Sequence, residues 1–312
     1  MLFSPGYSSY SSQRIILSSV LCPLFPVSCS LTDGQIAVVL VLASALMHAT
    51  WNAIVKLSGE RLAVMAVIDA LCLCIALALT PLVPFPPASA WPFLAASVAL
   101  AVGYKFALLG AYRHGDFTQA YPLMRGSAPL LVALFTVTLG LEQLPWTGYA
   151  GIVIVSLGLF ALVDWKNGKA VLLLFALGAG ATLAAATLID GTAVRGYSDP
   201  FTYIVWLEVF EHIAVPLFAL ATRRAQFVGV LRSQWRLAGI GAVNRIGSYG
   251  LMVFAMSLAP IAPLAALRET SVVFGALIGY FILKEPFGMK RLAATAMVLA
   301  GIAVLQLTRS VG

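Results

Sequence analysis

The stretch Leu267-Arg268-Glu269-Thr270-Ser271-Val272-Val273-Phe274 decides how this chain is read. Two opposite charges stand side by side in a hairpin, Ala262 to Leu307, that otherwise reads as lipid-buried helix. The chain carries an earlier echo. Arg125 precedes an apolar run that ends at Glu142, as Arg268 precedes one that ends at Lys284-Glu285-Pro286. Arg125 and Arg268, Glu142 and Glu285, and Gly158 and Gly301 are each 143 positions apart. Three matched positions in one order and at one offset indicate a duplicated unit.

Of the 312 residues, 61% are hydrophobic and 10% charged, against about 25% charged in a soluble domain. Such a chain cannot cover a water-facing surface. It offers many runs of the roughly 20 apolar residues that a membrane span needs. Only helices and closed barrels satisfy their own backbone hydrogen bonds in lipid. Barrel strands would alternate polar and apolar over about ten residues, whereas these runs are continuously apolar. The expected fold is therefore an all-α polytopic membrane protein. The net charge of +7 does not point to nucleic acid here, because Lys and Arg sit mostly at helix ends, where they set topology and meet anionic lipid. Cys72 and Cys74 lie two apart in an apolar run and read as small buried hydrophobes. No metal or cofactor pattern is present.

Residues 1–33 stand apart, rich in Ser, Pro and Cys. They read as an N-terminal extension without structure, and a start at Leu31 is one alternative. Beyond them, ten spans are expected: Gly34–Leu57, Leu62–Val83, Trp91–Tyr112, Phe117–Leu139, Pro145–Val163, Ala170–Ile189, Pro200–Ala221, Arg236–Ser257, Ala262–Leu283 and Gly288–Leu307. Asp164–Lys169 is expected as a polar turn and Arg223–Trp235 as a long basic loop. Two five-helix units follow, 34–164 and 165–312. With an odd number of helices each, the second enters the membrane from the opposite side, so the units form an inverted repeat about an axis in the membrane plane. Such an architecture exposes one central site to either side in turn. Most Lys and Arg, from Lys56 and Arg61 to Lys290 and Arg291, fall on one side, which places that side in the cytoplasm and both termini outside.

The residues also resemble a known family. His48-Ala-Thr-Trp-Asn52-Ala-Ile-Val-Lys56 is similar to the first-helix signature of EamA-type transporters, in the drug/metabolite transporter (DMT) superfamily. Arg268-Glu269-Thr270-Ser271-Val-Val-Phe, with Gly279 and Lys284-Glu285-Pro286, is similar to the ninth-helix signature. The resemblance covers residues 34–308. It implies ten helices in two halves, a central cavity, and export or exchange of small metabolites across a bacterial cytoplasmic (inner) membrane. It also implies cytoplasmic termini, opposite to the charge asymmetry, so sidedness stays open between the two. The first copy has Arg125-Gly126-Ser127 where the second has Arg268-Glu269-Thr270, so the halves are chemically unequal.

A charge at the centre of a span costs about 2.5–3.5 kcal/mol on the insertion scale and is usually paired or faces a cavity. Each buried ionisable residue is thus a candidate. His48, Asn52 and Lys56 recur every fourth residue and form one stripe, with Trp51 beside it. They read as a cavity wall, or else as a polar packing seam with Lys56 snorkelling outward. Arg268 and Glu269 read as substrate or gating residues, or else as a structural ion pair with Asp69, Asp190 or Lys105. Arg125 shares those roles by symmetry. Glu208 lies three residues from Glu211 and four from His212, so it shares a face with both. Two close carboxylates disfavour double ionisation, which suggests proton coupling. The alternative is ion pairing to Arg245 or Lys105. Tyr104, Tyr121, Asn244 and Tyr249 could add hydrogen bonds to a cavity. The Gly178-Ala-Gly-Ala181 cluster reads as close helix contact.

The expected function is a membrane secondary transporter, an exporter of a small organic metabolite such as an amino acid or related zwitterion, working by alternating access. The substrate cavity would be lined by His48, Trp51, Asn52, Tyr104, Arg125, Arg268 and Glu269. Proton coupling would fall to Glu208, Glu211 and His212. No phosphate loop or hydrolase motif appears. The competing classes are a membrane-embedded enzyme using Glu208, Glu211 and His212, and a non-transporting scaffold. The partners are the small-molecule substrate and the bilayer. A monomer suffices, because both halves lie in one chain, and a dimer is not excluded.

Overall fold

A computed structural model describes residues 32–310 apart from 59, 115–116, 164–169, 197–198, 283 and 285–287; side chains at 106, 108–109, 112–121 and 307–310 also fall outside the described set. The expectations for residues 1–31, the polar turn at 164–169, Glu285-Pro286 and the Tyr121 side chain therefore lie outside the described residues.

Helices account for the described chain: α1 (Asp33–Leu57), α2 (Arg61–Leu79), α3 (Trp91–His114), α4 (Phe117–Thr138), α5 (Trp146–Phe160), α6 (Ala170–Gly196), α7 (Pro200–Glu211), α8 (Ala214–Thr222), α9 (Arg224–Ser233), α10 (Trp235–Leu258), α11 (Ile261–Arg268), α12 (Thr270–Phe281) and α13 (Met289–Ser310). Among the described residues, seven stretches are long and apolar enough to cross a membrane: 33–57, 61–82, 170–196, 200–222, 235–258, 261–281 and 289–306. Shorter apolar helices cover 122–138 and 146–160.

Local chemistry sets the ends and breaks. Thr32 opens α1 with a capping box: the Gln35 amide donates to the Thr32 hydroxyl at 3.3 Å, and the Thr32 amide donates to the Gln35 side chain at 2.9 Å. The first described helix thus has its cap at Thr32, within the segment expected to be extension. The seventh span breaks between α7 and α8 at His212. Pro216 explains the break, since it has no amide to donate to the His212 carbonyl four residues back. The ninth span breaks between α11 and α12 at Glu269. There the Thr270 hydroxyl donates to the Leu267 carbonyl at 2.9 Å, and the Glu269 amide donates to Ala266 at 3.1 Å, a tighter turn than the α-helix uses. Both breaks fall on buried ionisable residues.

The 143-residue offset organises the packing. It carries α1 onto α6, α2 onto α7–α8, α3 onto α10, α4 onto α11–α12 and α5 onto α13. The contacts follow it: α1 packs on α10 as α6 packs on α3, and α1 on α11–α12 as α6 on α4. Three sets pack on their own counterparts: α2 on α7, α4 on α11, and α5 on α13. In the last pair Gly151 faces Gly301 and Leu305, while Gly158 faces Ala294 and Val298, so the helices run antiparallel. A two-fold axis relating antiparallel neighbours lies across them.

Side-chain placement inverts the pattern of a water-soluble domain. Large apolar residues such as Leu174, Leu217, Phe281 and Leu299 face outward. Asp69, Arg125, Asp190, Glu208, His212, Arg268 and Glu269 are buried. This is what lipid as solvent demands.

Cys72 is buried as expected but Cys74 is exposed, and two further readings of the sequence need correction. The basic segment after Arg223 is not a loop but α9, which buries Phe227 and Val230 while Arg224 and Arg232 stay exposed. One turn separates the two buried residues, so the segment has a helical apolar face that its charges obscured. Of the two glycines in the small-residue cluster, Gly180 makes a close approach, 3.0 Å from the Met124 carbonyl for an added Cβ, and Gly178 meets nothing within 4 Å.

Candidate functional site

The buried charges fall into two groups. The first lies where α4, α6, α10 and the α11–α12 break converge. Arg125 Nε approaches Glu269 Oε2 at 3.0 Å, and Arg125 Nη2 donates to the Ser271 hydroxyl at 2.8 Å. Arg125 thus ties α4 to both sides of the break. Pro129 sits one turn beyond Arg125 and supplies no amide to its carbonyl, so the backbone is also opened at this level.

Arg268 points elsewhere. Its guanidinium lies over the Tyr249 ring at 5.6 Å, a cation–π arrangement. Its Nε has no hydrogen-bond partner among the described residues, and none of their salt bridges includes it. The Tyr249 hydroxyl in turn donates to Asp190, which also accepts from the Tyr203 hydroxyl at 2.8 Å. A narrow cavity is lined by Arg125, Pro129, Thr187, Met252, Arg268 and Glu269, with Ala128, Val132, Leu183 and Ala265 completing its wall. The wall of the cavity is therefore largely apolar and carries two arginines and one glutamate.

The second group lies between α2, α3, α7 and α10. Asp69 is its centre. Its Oδ1 lies 2.9 Å from Arg245 Nε and 3.3 Å from His212 Nδ1, and its Oδ2 lies 3.7 Å from Lys105 Nζ. His212 Nε2 meets Glu208 Oε2 at 2.7 Å. Glu211 Oε1 reaches Arg245 Nη2 at 3.3 Å and Lys105 Nζ at 3.9 Å.

The sequence candidates divide between these groups. Arg125, Arg268 and Glu269 line the cavity. Trp51 belongs with the second group: its ring lies under the Arg245 guanidinium at 5.0 Å, and its indole donates to His48 Nδ1 at 3.3 Å. Asn52 bonds back to the His48 carbonyl at 2.7 Å, a local helix contact. The cavity lining does not include His48, Trp51, Asn52 or Tyr104. Asn244 likewise turns back on its own helix, donating to the Ile240 carbonyl at 2.8 Å. Glu208, Glu211 and His212 do come together, but the two glutamates take different partners, His212 for one and the Arg245–Lys105 pair for the other. The alternative pairings for Arg268 and Glu269 are also revised: Glu269 pairs with Arg125, not with Lys105. Sequence reasoning gave Asp69, Lys105 and Arg245 only supporting parts, yet each lies mid-span, and that signal alone marked them.

A third cluster ties the α4–α5 connection to the ends of α6, α10 and α11. Glu142 accepts from the Ile261 and Ala262 amides at 2.5 and 3.1 Å, which caps α11. Arg195 Nη1 meets Glu142 at 2.8 Å, and Arg195 also donates to the Met256 and Ala259 carbonyls at 3.0 and 2.7 Å.

Residues 170–307 match the EamA-like transporter family, part of the DMT superfamily. No curated protein matches the chain. A solved structure described only as "Crystal structure of protein" superposes with a TM-score of 0.70, over 88% of this chain and 98% of that one, at 17% identity. At that identity the likeness speaks to the fold alone. The family match and the membrane-length helices together support an integral membrane transporter of the DMT type.

Proposed function

We propose that this chain, with its EamA-like residues 170–307, is a secondary transporter that exports a small carboxylate-bearing metabolite, an amino acid or related zwitterion, by alternating access. Arg268 carries the reading. It is buried, it lines the cavity, and its Nε has no hydrogen-bond partner among the described residues. A guanidinium inside a membrane needs an anion or a water-filled space. A carboxylate on the substrate would meet it with the fork geometry that arginine favours. Glu269, held by Arg125, would set a negative edge toward a substrate ammonium. The break at Glu269 supports a site here, because discontinuous helices form midplane sites in other transporters.

Two repeats, 34–164 and 165–312, would rock about this site, with Arg125 and Arg268 as equivalent arginines on its two sides. A single copy would suffice, placed in the cytoplasmic (inner) membrane of a bacterium. The embedded-enzyme reading is weaker. Glu208 and His212 are buried against each other and Asp69, which suits holding a proton better than admitting a substrate.

The test is counterflow in proteoliposomes with radiolabelled amino acids, using the full chain and Arg268→Ala. Exchange that Arg268→Ala abolishes supports the reading. Exchange that persists in Arg268→Ala removes this arginine from the site, and wild-type liposomes that exchange none of the labelled amino acids overturn the substrate class.

A further inference from the structure

The second charge group contains three carboxylates, Asp69, Glu208 and Glu211, and two permanent cations, Lys105 and Arg245. With His212 neutral it carries one uncompensated negative charge. One added proton brings it to zero. The environment makes this balance matter, since Asp69, Glu208 and His212 are at most 2% exposed and an unbalanced charge inside a membrane is costly. We propose that this network is a one-proton binding site, with the proton held between His212 and Glu208, and that this proton is the coupling ion of the transporter proposed above, a reading on which the coupling step rests.

The geometry specifies the proton. His212 turns Nδ1 to Asp69 Oδ1 at 3.3 Å and Nε2 to Glu208 Oε2 at 2.7 Å. A neutral imidazole has one donor and one acceptor nitrogen, and the acceptor cannot face an ionised carboxylate without repulsion. With Asp69 kept ionised by Arg245 and Lys105, two arrangements remove the conflict. Either His212 is an imidazolium, hydrogen-bonded to Glu208 through Nε2 and ion-paired through Nδ1 with Asp69, or neutral His212 turns its Nδ1–H toward Asp69 while a protonated Glu208 donates to Nε2. Both hold the same single extra proton. Glu208 Oε1 is buried with no hydrogen-bond partner among the described residues, which leaves a free acceptor next to that proton.

The other groups facing the pair are accounted for. From α2 come Asp69 and Cys72, whose thiol donates to the Ala242 carbonyl at 3.5 Å. From α3 comes Lys105, from α10 Arg245, and from α7 itself Glu211. Asp190 on α6 is satisfied by the Tyr203 and Tyr249 hydroxyls. From α1, Trp51 covers Arg245. Among these described groups the fixed cations already serve Asp69 and Glu211, so the His212–Glu208 pair is where the proton count can change.

Position makes the count mechanically relevant. His212 lies at the break between α7 and α8, and Asp69, which it contacts, is its counterpart 143 residues earlier. Each cycle would take one proton from one compartment onto the pair and release it to the other, with no further reactant. Losing it sets a lone pair against a carboxylate at the contact between the repeats.

The experiment uses full-length protein in proteoliposomes, 14C-labelled amino acids and a membrane potential clamped with valinomycin and equal potassium. If one proton moves per solute, one pH unit holds about a tenfold solute gradient, the equivalent of about 1.4 kcal/mol. The expected result is that wild-type accumulation follows the pH gradient in this ratio. In Glu208→Gln the gradient should drive none, and any counterflow that remains should not vary with pH. Wild-type counterflow without gradient-driven accumulation would overturn the inference and leave the transporter reading standing. Accumulation that survives in Glu208→Gln would overturn it as well. If no labelled amino acid moves at all, that substrate reading fails, and infrared pH-difference spectra of the detergent-solubilised chain decide the proton site. A titrating band lost in both Glu208→Gln and His212→Gln supports the site; spectra indistinguishable from those of both variants overturn it.

Discussion

His212 and Asp69 are 143 positions apart in the chain and face each other at 3.3 Å, Nδ1 to Oδ1. The same offset joins Arg125 to Arg268 and Gly158 to Gly301. Residues that meet their own counterparts mark where a two-fold axis passes. At Asp69 and His212 an acid meets a base, so the equivalent positions are not interchangeable. The other members of the network have uncharged counterparts: Met65 for Glu208, Ile68 for Glu211, Ser248 for Lys105 and Val102 for Arg245. The helix order recurs at this offset, but outside the Asp69–His212 pair each charge of the network stands on one member of its pair only.

Asp69→Asn is expected to destabilise the protein strongly. Asp69 faces Arg245, Lys105 and His212 at once. Removing one partner of a buried pair commonly costs about 3–5 kcal/mol, because the other charge is left uncompensated. Thermal unfolding in detergent should show a clear fall in Tm. Replacing Glu60, whose contact with Arg223 is exposed, should change stability by no more than about 1 kcal/mol.

Arg268 and Glu269 are adjacent but should respond differently. Glu269→Gln removes the counter-charge of Arg125 and should lower both stability and transport. Arg268→Met breaks none of the described salt bridges and substitutes an apolar side chain for a buried cation. It should leave Tm unchanged or raised while abolishing counterflow. Parallel Tm and counterflow measurements on the two variants check this. Equal loss of stability in both would make Arg268 a structural residue.

Much of this was readable in the sequence. Hydrophobicity and the 143-residue offset follow from residue types alone, and they lead to the helical membrane fold and the pairing of Arg125 with Arg268. The partners of each charge were not readable. Whether Glu269 meets Arg125 or Lys105 depends on helix rotations of a few tens of degrees, which no local pattern encodes. That Trp51 lies under Arg245 was not readable for the same reason, since neighbouring helix positions point about 100° apart. The break at His212 had a local cause in Pro216, whereas the break at Glu269 depends on a hydroxyl–backbone contact at Thr270.

The Arg195–Glu142 contact should hold one face of the protein shut. Glu142 caps α11 through two amides and binds Arg195, which grips the end of α10. Loss of a helix cap typically costs about 1 kcal/mol and up to about 2. Glu142→Ala should lower stability by that order. It should also speed thiol labelling of a cysteine placed at the buried position 262, in an otherwise cysteine-free chain. Labelling at the unaltered rate would show that this contact caps the helix without gating the face.

The antiparallel pair α5–α13 offers the sharpest test of the two-fold packing. An added Cβ at Gly301 would lie 2.7 Å from the Val155 backbone nitrogen and 2.8 Å from the Gly151 carbonyl oxygen. Backbone atoms cannot swing aside as a side chain can, so the helices would have to separate. Gly301→Ala should cost about 1–3 kcal/mol, as overpacking does. Gly178 also lies in a helix, yet a Cβ there meets nothing within 4 Å. Gly178→Ala should gain roughly 0.5–1 kcal/mol through reduced backbone entropy of the unfolded chain. The two changes add the same methyl group to the same residue type, so the opposite signs isolate packing from propensity. An unchanged Tm in Gly301→Ala would contradict the close approach of α5 and α13, and a fall in Gly178→Ala would contradict the open space beside that residue.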